Sequence, residues 1–302
     1  MEAKFDINID SDELNNISEN NKRCAPHLKF EDGSCITLDL LYEFAKVHNN
    51  NSDENKQIYL NKKIITNGIK KLQKQYKRYL VRELKKYYSN NQLEWKNTKI
   101  FSQMSKVYKD RLEDDTFRHE GPKGRFEWLN TLHIIEAMDQ YENKYTDFKF
   151  LGAVPMDFND YDRFEIRNID YHKDLINKGK KRIGLIFNLD NHNESGSHWV
   201  ALFANFNTCE IYYFDSYGEK PEKRVVDLMS KLKNVCLKYN TNVTIDYNKQ
   251  RHQRENSECG IYSMNFILRL LRGDSFEEIC DSRIPDRKIN KCRLKYFNNT
   301  IQ

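Results

Sequence analysis

Nowhere in the 302 residues does an apolar run approach the roughly 18 that a membrane-crossing helix needs. The first sixteen residues, MEAKFDINIDSDELNN, are acidic and polar where a secretory signal is basic and then apolar. Export is therefore not expected, and a reducing, intracellular setting is. The seven cysteines (Cys24, Cys35, Cys209, Cys236, Cys259, Cys280 and Cys292) include no C-x-x-C pair, and their odd, scattered placement argues against a disulfide framework and a zinc ribbon. Most read as small buried hydrophobes. His192, His198, Cys209 and His252 do not stand at ligand spacing, so no metal and no organic cofactor is expected. Internal repeats are missing as well.

What is present describes a globular protein. Hydrophobic residues make up 38% and charged ones 31%, with 18 Tyr and 17 Phe to supply a core. A chain of this length holds a catalytic domain of roughly 170 to 200 residues with a remainder to be explained. The net charge of +5 says little as an average, but its distribution says more. Residues 61–90 carry ten Lys or Arg against one acid, while the first twenty residues are acidic and rich in Asn.

Residues 1–23 lack periodic apolar positions and read as a disordered tail. Leu38, Leu41, Phe44, Ala45 and Val47 recur at near-helical spacing, and Ile64, Ile65, Ile69, Leu72, Tyr76, Leu80, Leu84 and Tyr87 do so along the basic stretch. A helical, basic arm is thus expected over 24–121, ending at the break Gly121-Pro122-Lys123-Gly124. Beyond it, 122–302 alternates helical and strand patterns. Helices are expected after Asn130, over 221–239 and over 260–271. Strands are expected at 148–154, 182–189, 198–204, 210–215 and 242–247.

The chemistry concentrates in the second part. Asn205-Phe206-Asn207-Thr208 has turn composition, so the strands on either side should pair as a hairpin. His198 and Asp215 are 17 residues apart with their midpoint between Phe206 and Asn207, which sets them opposite each other across the hairpin. A carboxylate there can hold one imidazole nitrogen and leave the other for a nucleophile. Cys259 precedes an apolar helix, whose first-turn N–H groups favour an anion. Gly260 leaves room for a substrate backbone. Gln253, six residues before Cys259, carries an amide able to donate to an oxyanion beside the Cys259 N–H.

The order His-Trp, Asp-Ser, then Gln six residues ahead of Cys-Gly-Ile-Tyr resembles the Ulp1-like (C48, adenain-type) cysteine proteases. Within that group, Trp128-Leu129-Asn130, the segment Phe148–Phe158 and Gly196-Ser197-His198-Trp199 look most like the polyprotein-processing, SUMO-1-protease-like enzymes of large cytoplasmic DNA viruses. The resemblance covers about 122 to 297. It implies an α+β, papain-like core, a mixed central sheet flanked by helices, and the catalytic set His198, Asp215, Gln253 and Cys259. It also implies a narrow slot between Trp128 and Trp199 that admits only a Gly-Gly backbone, and action in the host cytoplasm and virion. Substrates would be virion precursor polyproteins with Gly-Gly-X sites. Removal of SUMO or another ubiquitin-like modifier from host proteins is the alternative, weakened by Thr131 where relatives carry Asp. An inactive scaffold holding core proteins or nucleic acid is the minor one. For the basic 61–90 helix, a solvated or protein-docking face stands beside nucleic-acid binding without sequence preference, through lysines interleaved with Tyr76, Tyr79, Tyr87 and Tyr88.

Overall fold

The computed structural model describes residues 23–298 apart from Glu165 and Asn240. The tail expected over 1–23 lies outside the described residues except for Arg23. The chain divides after Arg118 into two compact units.

In the first unit the apolar periodicity becomes α1 (Leu38–Asn50) and α2 (Lys70–Lys85). Leu40, Leu41, Phe44, Tyr76, Leu80 and Leu84 are buried with Trp95 in one core. The single long helix suggested over the basic stretch is instead two, because a six-residue helix, Lys62–Asn67, stops at Gly68. A Cβ on Gly68 would fall 2.3 Å from the Ile64 carbonyl oxygen, a distance no side chain tolerates. The expectation of unbonded cysteines also fails here, since Cys24 and Cys35 form a disulfide with their Cα atoms 5.3 Å apart. Between them Asp32 and Gly33 adopt left-handed φ values of 57° and 83°, folding the loop back on itself. No sequence spacing announces such a local closure.

The basic face differs from its expectation in the same way. Tyr76 and Tyr79 are buried, and their hydroxyls accept the Asn61 and Tyr59 N–H groups at 2.8 and 3.0 Å. Tyr88 meets His48 Nδ1 at 2.7 Å, and Tyr87 packs on the same imidazole at 4.5 Å. Tyr76 and Tyr79 are thus spent on the arm's own core and cannot serve as a stacking platform, while Tyr87 stays exposed. Several cations are engaged too: Lys77 donates to the Ser34 carbonyl, Arg78 pairs with Asp32, and Arg82 and Lys86 both reach Glu83. Lys62, Lys63, Lys70, Lys71 and Lys74 remain on the exposed face.

The second unit is a five-stranded sheet in the order β1 (Phe148–Pro155), β2 (Arg182–Asn188), β3 (Trp199–Asn205), β4 (Glu210–Phe214), β5 (Thr244–Tyr247). The outer pairs are parallel and the inner pairs antiparallel. Alternation along β3 divides the core. Ala201 and Phe203 face α3 (Thr131–Lys144) and the nucleophile-bearing helix α5 (Cys259–Arg272), while Val200, Leu202 and Ala204 face α4 (Lys223–Cys236). Asn130 caps α3, accepting the His133 N–H at 2.8 Å while His133 Nδ1 accepts the Asn130 N–H. This α+β arrangement, a mixed sheet between helices, is the one the motifs implied. Among the described residues, no helix is long and apolar enough to cross a membrane.

Candidate active site

Cys259 is the first residue of α5, buried at the helix N-terminus. The preceding Glu258 makes no capping bond to the helix. Its carboxylate instead accepts the Ser257 N–H at 3.0 Å and the Ser257 hydroxyl at 2.5 Å, leaving the first-turn amides uncapped by it. Arg293, almost wholly buried, donates Nη2 to the Ser257 carbonyl at 3.0 Å and Nε to Asn290. The turn that presents the thiol is thus tied from two sides.

His198 sits just before β3 and Asp215 just after β4, at the same end of the hairpin. Nε2 of His198 lies 2.7 Å from Asp215 Oδ1, and both side chains are buried. The pair was expected directly across the strands, but Ala201 pairs with Phe214, so the register continued by one step sets Asp215 level with Val200. The cause is the turn, whose Cys209 takes a left-handed φ of 56° and moves the hairpin centre to between Asn207 and Thr208. A displacement of two positions keeps both residues on one face, where a displacement of one would have separated them. The level position opposite His198 is Tyr217, whose ring stacks on the imidazole at 4.5 Å and 8°. The Arg251 guanidinium covers the other side of Tyr217 at 4.9 Å.

Burial opposes a charge on His198, but hydrogen bonds to Asp215 and to the Cys259 side chain, together with their charges, outweigh it and raise its pKa to about 9. With Nε2 on Asp215, Nδ1 is the nitrogen left for Cys259. The other described free thiols have no such neighbour: burial pushes Cys280 up to about 12 and raises Cys236 and Cys292 as well.

Gln253 is fully buried, not displayed on its polar loop, while Gln250 is exposed. Its Oε1 accepts the Ser216 hydroxyl at 2.7 Å, and its N–H donates to the Ser216 carbonyl at 2.9 Å. Nε2 spends one hydrogen on the Glu255 carbonyl at 2.8 Å, which leaves a second for a ligand. Asp215 and Ser216 are consecutive, so one turn holds both the imidazole and the amide. Ser216 enters the sequence reading only as part of the Asp-Ser motif, and Arg293 only as part of a closing Arg293-x-x-Tyr296-Phe297 motif of the resemblance, neither with a role. Tyr217 is not singled out, although it stands two places after Asp215.

Trp199 is 5% exposed and donates Nε1 to the Leu129 carbonyl at 2.9 Å, whereas Trp128 is 45% exposed. Both line a cavity of about 420 Å³ with Asn188, Gly196 and Thr131. Asn188 ends β2, its Oδ1 accepting the Asp190 and Ser197 N–H groups. Beside Gly260 stands Leu129, whose Cδ1 and Cβ would lie 3.0 and 3.1 Å from an added Cβ, so the glycine's bareness serves packing against Leu129.

A buried cysteine at a helix N-terminus, an imidazole bonded to it and to a carboxylate, and a buried amide beside them define the chemistry of a thiol protease. The Ulp1 protease family, C-terminal catalytic domain, matches residues 167–301. A protein of Acanthamoeba polyphaga mimivirus described as a thiol protease is 34% identical over 279 residues, covering 89% of this chain and 90% of that one. The SUMO-1 cysteine protease of African swine fever virus is 28% identical over 213 residues, 66% of this chain and 78% of the relative. The crystal structure of an African swine fever virus protease shares the fold, with a TM-score of 0.63 at 24% identity over 96% of this chain and 99% of that one. The chain belongs to the Ulp1 family of cysteine proteases.

Proposed function

We propose that the protein is a viral endopeptidase that cleaves virion precursor polyproteins after Gly-Gly. The Cys259 thiolate attacks the glycyl carbonyl carbon, and the negative charge moves to the carbonyl oxygen, where the Gln253 amide and the Cys259 N–H donate to it. Protonated His198 gives its Nδ1 proton to the departing amine, the C–N bond breaks, and a thioester remains. Water, deprotonated by His198, hydrolyses the thioester and regenerates the thiolate. Asp215 holds the imidazole throughout.

The observation that carries the Gly-Gly reading is the pairing of Trp128 and Trp199 in one cavity of about 420 Å³. Two indoles enclosing an extended backbone exclude side chains larger than hydrogen. Viral relatives support a viral cysteine protease, and Thr131, where a modifier-binding Asp would be expected, favours polyprotein processing over removal of a modifier. The test is incubation with a Gly-Gly-X peptide drawn from a virion precursor and with a SUMO–reporter fusion, using wild type and Cys259→Ala. Cleavage of the peptide by wild type alone is expected, and exclusive cleavage of the fusion overturns the proposal. We also propose that the exposed lysines of the arm, Lys62 to Lys74, hold a polyanion such as nucleic acid by its phosphates.

A further inference from the structure

Trp128 has a second face. Beyond it lies another cavity, about 740 Å³, walled by Ser257 and Glu258 directly before the nucleophile and by Arg254 directly after Gln253. A chain crossing Cys259 with Trp128 at its side borders both this cavity and the one shared with Trp199.

The lining is apolar and cationic. Phe126, 63% exposed, and Trp128 supply the apolar part, and Arg125, Arg254, Arg283 and Arg287 supply the charge. Three acids share the lining, but two are already committed. Glu258 is held by Ser257, and Asp286 accepts the Arg254 N–H at 3.1 Å, the Tyr262 hydroxyl at 3.0 Å and Arg283 at 3.3 Å. Arg283 also donates Nε to the His252 carbonyl at 2.6 Å, so it belongs to the frame. Arg125 lies over the Phe126 ring at 5.3 Å. Arg254 and Arg287 are exposed and make no ion pair among the described residues. Glu255 is the one uncommitted acid against these cations.

We propose that this cavity is a specificity site that takes an acidic side chain, Asp or Glu, close to the glycine pair of the substrate. Arg287 and Arg254 present planar donors matched to a carboxylate, and the Phe126 and Trp128 rings exclude water from the contact. The inference rests on the Gly-Gly reading above and adds to it a flanking acid. Substrates would be selected by two features: a backbone thin enough for the tryptophans, and a negative charge within about three residues of the cut, since an extended chain advances about 3.3 Å per residue.

A peptide library with Gly-Gly fixed and the three positions on either side varied tests it, read by mass spectrometry with wild type and Arg287→Glu. Wild type should prefer Asp or Glu to Lys at one position at least tenfold in kcat/KM, and Arg287→Glu should reduce or reverse that ratio at the same position. Arg125→Glu provides a second variant on another segment, with the same expectation. Cleavage after Gly-Gly with equal rates for Asp, Ala and Lys at all six positions overturns the acidic site while leaving the Gly-Gly reading intact. An acid preference unchanged in both variants overturns the assignment to this cavity. Failure to cut any Gly-Gly peptide overturns the earlier reading and this one with it.

Discussion

His198 is the residue on which the electrostatics converge, because burial alone would make it a weak base and its two partners reverse that. With a pKa raised to about 9, the imidazolium persists through neutral pH and its proton is available to the leaving amine. The charged form is the one needed, so activity should hold below that value and fall as pH rises through it. Replacing Asp215 by Asn removes one of the two partners that raise this pKa and leaves only Cys259 to oppose burial, so the pKa should fall. The alkaline limb of kcat/KM should then move to lower pH by more than a unit, with rates down on the order of 10²-fold. A pH profile from 5 to 11 for both proteins decides it, and an unmoved limb sinks the assignment. His198, Asp215, Gln253 and Cys259 could be proposed together because their order and offsets are jointly restrictive, and the structure pairs His198 with Asp215 at 2.7 Å. Roles for Ser216, Tyr217 and Arg293 could not be proposed, because holding a ring or a carbonyl can be done by many residue types.

The hairpin and α5 show how elements carry those residues. Alternating β-branched and aromatic residues announced β2, β3 and β4, and the turn composition of residues 205–208 placed His198 and Asp215 at the same end of the hairpin. Their sharing of a face depends on the register. The exact register escaped because it depends on the backbone of Cys209, and a left-handed φ at a cysteine has no compositional cue. The packing of Gly260 on a neighbour escaped for a related reason: a bare Cα reads the same in sequence whatever lies beside it. Its neighbour is Leu129, whose carbonyl anchors Trp199. Gly260→Ala should therefore force Leu129 aside, costing about 1–3 kcal/mol of stability. It should also reduce kcat/KM on Gly-Gly peptides more than it reduces alkylation of Cys259 by a small thiol reagent. Equal losses in the two assays would place the damage at the thiol itself and not at the tryptophan wall.

Across the whole chain, charge and chemistry are segregated: the cationic excess lies in residues 61–90 of the first unit and the reactive residues in the second. The expected break at Gly121 stands three residues past the division after Arg118, and burial of Tyr76 and Tyr79 was not legible, since a tyrosine on a basic helix suits a core as well as a base stack. That burial alters what the arm is expected to do. Base stacking contributes about 1–3 kcal/mol per base and favours single strands, and with Tyr76 and Tyr79 enclosed it is reduced, Tyr87 being the exposed ring of the four on the basic stretch. Phosphate contact through lysines remains, and its affinity falls with salt at a logarithmic slope of about −0.9 per phosphate neutralised on duplex DNA. Five exposed lysines set a ceiling near a slope of about −4.5. Fluorescence anisotropy between 50 and 200 mM salt should find duplex binding no weaker than single-strand binding, independent of sequence. The slope should shrink when Lys70, Lys71 and Lys74 are changed to Gln. Tighter single-strand binding would mean that exposed rings contribute after all, and absence of binding at 50 mM salt would leave those lysines as a solvated or protein-docking face.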